Sequence, residues 1–145
     1  MDLELDGKTT IVTGGSRGIG KAIARQLAQE GVDVAIVART REPLLEAAAE
    51  LERETGRRVV PITADTGDDE SVQAMVQEAA DALGHLDILV NCAARVAGTG
   101  PSQALADITR DDVWGDVNVK VMGYLRCAQA VAPHMQRQGW GRIVN

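Results

Sequence analysis

Thr13-Gly14-Gly15-Ser16-Arg17-Gly18-Ile19-Gly20 is a glycine-rich segment between the apolar run Thr9-Thr10-Ile11-Val12 and a stretch in which Ile19, Ala22, Ile23 and Leu27 recur at helical spacing. Glycine reaches positive φ and lets backbone approach a ligand closely, while a strand-to-helix turn aims free N–H groups and the positive end of the helix at whatever sits there. This is chemistry for a pyrophosphate. Gly15, four residues, Gly20 and Lys21 also fit all but the last position of a nucleoside-triphosphate loop. Ala22 fails that position, because a hydroxyl is needed there to hold magnesium, so an NTPase is disfavoured.

The next chemically informative residue is Arg39, in Ala38-Arg39-Thr40-Arg41. It follows the second apolar run, where an NAD site usually carries a carboxylate for the ribose hydroxyls. A guanidinium there suits a 2′-phosphate through paired charge-assisted hydrogen bonds, and Arg17 can face the same group. NADP is therefore the expected cofactor. Asp65 and Thr66 follow the third strand, Asn91 ends the fourth, and Asn118 lies inside a long helix. Taken singly, Asp65 can begin a turn, Asn91 can satisfy loop backbone, and Asn118 can sit on an exposed helix face. Cys92 and Cys127 lack metal-ligand spacing and lie in apolar segments, so both read as buried thiols. His85 beside Gly84 and His134 after Pro133 read as surface residues, and no metal site is expected.

The elements that must position these groups alternate along the chain. Val32 to Val37 reads as a strand, then Leu44, Ala47, Ala48 and Leu51 mark a helix closed by Gly56. Val59 to Thr63 is a third strand. Asp68 caps a helix whose Val72, Met75, Val76, Ala79 and Leu83 share a face, and Gly84 ends it before a strand from Leu86 to Val90. Thr109 with Asp112 opens a long helix through Val113, Val117, Val121, Leu125 and Ala128, and Arg142 to Val144 forms a fifth strand. Such alternation implies right-handed crossovers and an α/β, doubly wound parallel sheet of the Rossmann type, with ligand at the carboxyl ends of its strands.

At 145 residues the chain suits one domain. Its 21 acidic and 15 basic side chains give a net charge of -6, which opposes association with nucleic acid or an anionic membrane. No apolar stretch approaches a membrane span, and the start Met1-Asp2-Leu3-Glu4 lacks a secretory signal, so a cytoplasmic location is expected.

Together with the glycine loop and Arg39, the order and spacing of these residues resemble the short-chain dehydrogenase/reductase family over the whole chain. The family's Thr-Gly-x-x-x-Gly-x-Gly is matched at Thr13, Gly14, Gly18 and Gly20. The resemblance implies an NADP site built from Gly14, Ser16, Arg17, Gly18, Ile19, Gly20, Arg39, Asp65, Thr66, Asn91 and Ala93, in which Asp65 hydrogen-bonds the adenine. The family's Asn-Asn-Ala-Gly segment appears as Asn91-Cys92-Ala93-Ala94, with Cys92 and Ala94 departing. Asn118 falls in a segment resembling the one that carries the family's active-site asparagine, thought to hold a water of the proton relay. Gly141 to Asn145 resembles the strand before the catalytic serine.

That serine and the Tyr-x-x-x-Lys pair would follow Asn145; Tyr124 has Ala128, not lysine, four residues on. The resemblance thus implies an NADP-dependent oxidoreductase exchanging hydride with a small carbonyl or secondary alcohol, similar to 3-oxoacyl-carrier-protein reductases. The 145 residues are expected to be the amino-terminal part of a longer single domain and to be inactive alone. The alternative is a truncated, non-catalytic dinucleotide-binding or interaction protein. The helix from Thr109 commonly joins a dimer or tetramer interface in the family, so a homo-oligomer is expected of the complete protein.

Overall fold

The strands are β1 (Thr9–Thr13), β2 (Asp33–Ala38), β3 (Val59–Thr63), β4 (Ile88–Asn91) and β5 (Arg142–Val144). The helices are α1 (Gly18–Gln29), α2 (Arg41–Thr55), α3 (Asp69–Leu83), α4 (Arg110–Val117) and α5 (Gly123–Gln138). The structure is a computed structural model and describes residues 3–95 and 104–145. Its strands form one parallel sheet in the order β3-β2-β1-β4-β5. Side chains alternate across that sheet. Val34 and Ile36 join a core with Ala24, Ala28, Leu44 and Leu51 of α1 and α2. Ala35 and Val37 join a second core with Val72, Met75, Cys127 and Val131 of α3 and α5. Burial on both faces is why the central strands read as nearly unbroken Val and Ile runs.

Helix ends follow local chemistry. The Asp68 carboxylate accepts the Ser71 N–H at 2.7 Å, and Thr109 and Asp112 form a reciprocal capping box. Gly56, Gly84 and Gly139 follow α2, α3 and α5 at φ of 69°, 87° and 72°.

Four expectations about these elements change. The fourth strand begins at Ile88 rather than Leu86, because the Asp87 carboxylate takes the Thr9 N–H at 2.9 Å, in place of a backbone acceptor. Ile19, read with the apolar repeat of the first helix, is exposed, and Gly20, Ala24 and Ala28 are that helix's buried residues. The long helix from Thr109 is interrupted by a π-helical turn, Asn118–Met122, in which the Gly123 N–H donates to the Asn118 carbonyl. Most of its expected stripe also faces away from the core, although Ala128 packs against it. Val113, Val121 and Leu125 are exposed, whereas Gly123, Cys127, Ala130, Val131 and Met135 are buried. The two sets are offset by two residues, about 200° of helix rotation. The small Gly123, Cys127 and Ala130 let α5 approach α3 and the sheet, while Val113, Val121 and Leu125 are left outside.

Burial raises the Cys127 thiol from an ordinary 9.0 to about 11. The folded state therefore holds the neutral thiol after the unfolded chain has ionised. This contribution to stability is full below about pH 9 and is lost as pH rises through about 11, a decline of about 2–3 kcal/mol. Urea unfolding of wild type and Cys127→Ala across that range measures it. The variant is expected to show the shallower decline, and parallel curves would refute the attribution.

Candidate functional site

From β1 the chain runs through α1 to β2 on one side, whereas from β4 it runs to β5 on the other. The crossovers thus diverge and leave a crevice at the carboxyl ends of the strands. It has a volume of about 570 Å³ and is lined by the loop after β1, the ends of β2, β3 and β4, and Val119 of the π turn.

Backbone packing shapes the loop. Gly14 has φ 70°, and a Cβ there would stand 2.8 Å from the Cys92 carbonyl oxygen. A Cβ on Gly20 would overlap the carbonyl of Gly14. Beneath them, the buried Thr13 hydroxyl accepts the N–H groups of Cys92 at 3.0 Å and Ala93 at 3.1 Å, tying the loop to the end of β4. Thr13→Val leaves both donors without this acceptor, so a loss of about 1–3 kcal/mol is expected. Urea denaturation checks it, and unchanged stability would show these bonds to be dispensable.

The amino terminus of α1 has no side-chain cap and no acidic residue in its first turn. Its leading N–H groups and dipole are left for an anion. Arg17 and Arg39 line the same crevice and are exposed, and their guanidinium groups make no hydrogen bond or ion pair with any described residue. Lys21 is different: its Nζ pairs with Glu50 at 2.7 Å, between α1 and α2. It does not line the crevice as the lysine of a nucleoside-triphosphate loop would.

Asp65 combines the two roles weighed for it. Its N–H donates to Ser71 Oγ and its Oδ1 accepts the Gly67 N–H, so it does form a turn. It also lines the crevice, with its second carboxylate oxygen free of any described partner.

The crevice therefore collects Gly14, Ser16, Arg17, Ile19, Gly20, Arg39, Asp65, Thr66 and Ala93. Gly18, Asn91 and Asn118 are not among its lining residues. Gly18 supplies a φ of 57° at the start of α1. The Asn91 amide donates to Asn145 Oδ1 at 2.7 Å and to the Tyr124 carbonyl at 3.5 Å, toward β5 and α5. The Asn118 carboxamide donates to the Gly67 carbonyl at 3.0 Å and accepts from Arg126 at 2.7 Å.

Further lining residues, Ala38, Ala64, Cys92 and Ala94, stand just past strands or at a strand end. Their only signal in the sequence is that position. Among the described residues, only Glu4 of the non-glycines has positive φ, so Ala94 occupies the family's glycine position without left-handed strain. Cys92 is partly exposed in the crevice rather than buried, because the chain leaves the sheet there; its thiol is still raised by partial burial. Tyr124 does not line the crevice, and burial first, then Cys92, raises its hydroxyl above the ordinary range. No group of metal-binding side chains occurs among the described residues.

The sequence model of the short chain dehydrogenase family matches residues 8–145. The chain belongs to this family. Short-chain reductase protein NovJ of Streptomyces niveus is 40% identical over 136 residues, covering 93% of this chain and 50% of NovJ. A 3-oxoacyl-[acyl-carrier-protein] reductase of Staphylococcus aureus is 36% identical, covering 95% and 54%. The chain thus spans about half the length of the curated short-chain dehydrogenases it matches. Among solved structures, L-sorbose reductase from Gluconobacter frateurii, complexed with NADPH and L-sorbose, superposes with a TM-score of 0.87 at 36% identity, covering 99% of this chain and 53% of that one. NAD+-bound xylitol dehydrogenase superposes at 0.88 with 32% identity, covering 98% and 53%. A structure holding NADPH and one holding NAD+ therefore both share this fold.

Proposed function

We propose that this chain forms the NADP(H)-binding part of a short-chain oxidoreductase acting on a small carbonyl compound or secondary alcohol. The carrying observation is the pair Arg17 and Arg39, both unpaired in one crevice, with arginine rather than a carboxylate just past β2. The loop fits a dinucleotide: Gly14 and Gly20 leave a cradle that Cβ atoms would fill, and the uncapped start of α1 faces the anion. When bound, the nicotinamide supplies or takes up hydride. Gly14, Ser16, Gly18, Ile19 and Gly20 hold the pyrophosphate side, Arg17 and Arg39 the 2′-phosphate, and Asp65 and Thr66 the adenine. Ala93 forms the floor that Thr13 fastens to the loop, and Asn91, tied to Asn145 and the Tyr124 carbonyl, supports it from the end of β4. Asn118 orders a water for proton transfer in the complete enzyme, whereas the 145 residues alone bind cofactor without turning over substrate.

The NADPH-complexed sorbose reductase supports this reading, and the NAD+-bound xylitol dehydrogenase keeps NAD(H) as its competitor. Val113, Trp114, Val121 and Leu125 expose an apolar face on α4, the π turn and α5, which we assign to self-association of the complete protein in the cytoplasm. Among the described residues no helix is long and apolar enough to cross a membrane.

Titrating the chain with NADPH and NADH, followed by the fluorescence of each nicotinamide, tests the assignment. Saturable binding tighter for NADPH is expected. Absence of binding would remove the function, and tighter NADH binding would move the chain to the NAD(H) class.

A further inference from the structure

Arg126 joins two segments that the fold brings together from distant parts of the chain. Its Nε pairs with the Asp69 carboxylate at the start of α3. Nη1 donates to the carbonyls of Thr66 at 3.3 Å and Asn118 at 3.1 Å, and Nη2 donates to Asn118 Oδ1 at 2.7 Å. The arginine side chain is only 18% exposed although Asp69 is 82% exposed, so its hydrogen-bonding fork is spent inside the protein.

Two glycines make the junction tight. A Cβ on Gly67 would stand 3.0 Å from Asn118 Nδ2, and one on Gly123 would stand 2.9 Å from the Thr66 carbonyl oxygen. The Asn118 amide closes the contact by donating to the Gly67 carbonyl at 3.0 Å. Every polar atom of the Asn118 carboxamide is thus fixed by the segment that presents Asp65 and Thr66, or by Arg126.

We propose that Arg126 is a positioning residue that makes the turn after β3 and the Asn118 π turn one unit, so that occupation of the adenosine end of the crevice is transmitted to the Asn118 carboxamide. This rests on the reading of Asp65 and Thr66 as adenosine contacts. The planar five-donor guanidinium is needed because Asp69, Thr66 and Asn118 are engaged from different nitrogens, which a lysine ammonium cannot reproduce.

The test is NMR titration of the 145-residue chain with 2′,5′-ADP, which carries only the adenosine end of the cofactor. In wild type, the Gly67 amide and the Asn118 side-chain amide are expected to shift together with saturation. Arg126→Lys, which keeps a positive charge beside Asp69, is expected to bind the probe about threefold to tenfold more weakly and to shift Gly67 but not Asn118. Asp69→Asn, an exposed change that spares the fold, is expected to reduce the Asn118 shift in part. A structural arginine without this role would lower melting temperature and leave the two signals coupled. Undiminished Asn118 shifts in Arg126→Lys, or in Asp69→Asn should the lysine variant not fold, overturn the proposal. Should wild type not bind the probe, the cofactor reading falls instead. The clamp is then judged without ligand: the Asn118 side-chain protons are expected to exchange about tenfold faster in Arg126→Lys, and unchanged exchange overturns it.

Discussion

Gly20→Ala is expected to weaken NADPH binding by about a hundredfold or more. The added Cβ overlaps the Gly14 carbonyl, and Gly14 has little room to retreat, since on its other side even a Cβ would stand 2.8 Å from the Cys92 carbonyl oxygen and 3.1 Å from the Ala93 Cα. Relief must come from rotating the start of α1 away from the loop. The N–H groups then lose their common aim at one anion. Two or three misdirected hydrogen bonds to a charged group, at about 1.5 kcal/mol or more each, account for the loss. Gly56→Ala is the control for a glycine replaced away from the crevice: Gly56 has positive φ, 69°, which Gly20 lacks, and a Cβ there meets nothing within 4 Å. It is expected to cost some stability and no affinity. NADPH fluorescence titration, with circular dichroism to confirm folding, reads both. A Gly20→Ala protein that binds within threefold of wild type would mean that this loop does not cradle the pyrophosphate.

Removing the Arg39 guanidinium is expected to abolish the preference between cofactors rather than binding itself. Arg39 is exposed and has no described protein partner, so Arg39→Ala breaks nothing in the fold. Its charge-assisted hydrogen bonds to a 2′-phosphate contribute about 1.5–3 kcal/mol, so NADPH affinity should fall about tenfold to a hundredfold while NADH affinity stays within about twofold. Arg17→Ala should act in the same direction, and because both arginines address one phosphate the double substitution should cost less than the sum. Parallel titrations decide the matter. Equal losses for both cofactors would place Arg39 on a shared part of the ligand, and no loss at all would withdraw the 2′-phosphate assignment.

Much of this architecture was legible because the physics that builds it is local. Val and Ile runs become strands buried on both faces, and Asp68, Thr109, Gly56 and Gly84 end helices through contacts within a few residues. The crevice was legible for a related reason: a strand-helix fold puts its loops at one edge, so residues just past Thr13, Ala38 and Thr63 had to gather there. Illegible features depend on distant or quiet partners. The buried side of α5 is carried by Gly123, Cys127 and Ala130, whose small size wins the close approach but barely registers against Val121 and Leu125. The role of Arg126 escaped because it meets Asp69 and the Thr66 carbonyl across 57 and 60 positions of chain, and a backbone carbonyl leaves no mark in a sequence. Asn118 was read for its resemblance, but nothing in its neighbours announces that its carboxamide is held by Gly67 and Arg126.

The strand order also sets a timetable for folding. β1 occupies the centre, between β2 and β4, and its amide at Thr9 is satisfied by Asp87, 78 positions later. The β1-β2-β3 side can assemble from neighbouring sequence, whereas the other ladder of β1 closes only after a long loop has been ordered. Such non-local parallel pairing belongs to the slower range of small-domain folding, from about milliseconds to seconds. During synthesis the open flank of β1 waits for β4 to emerge, and in that interval the sheet's centre is an edge.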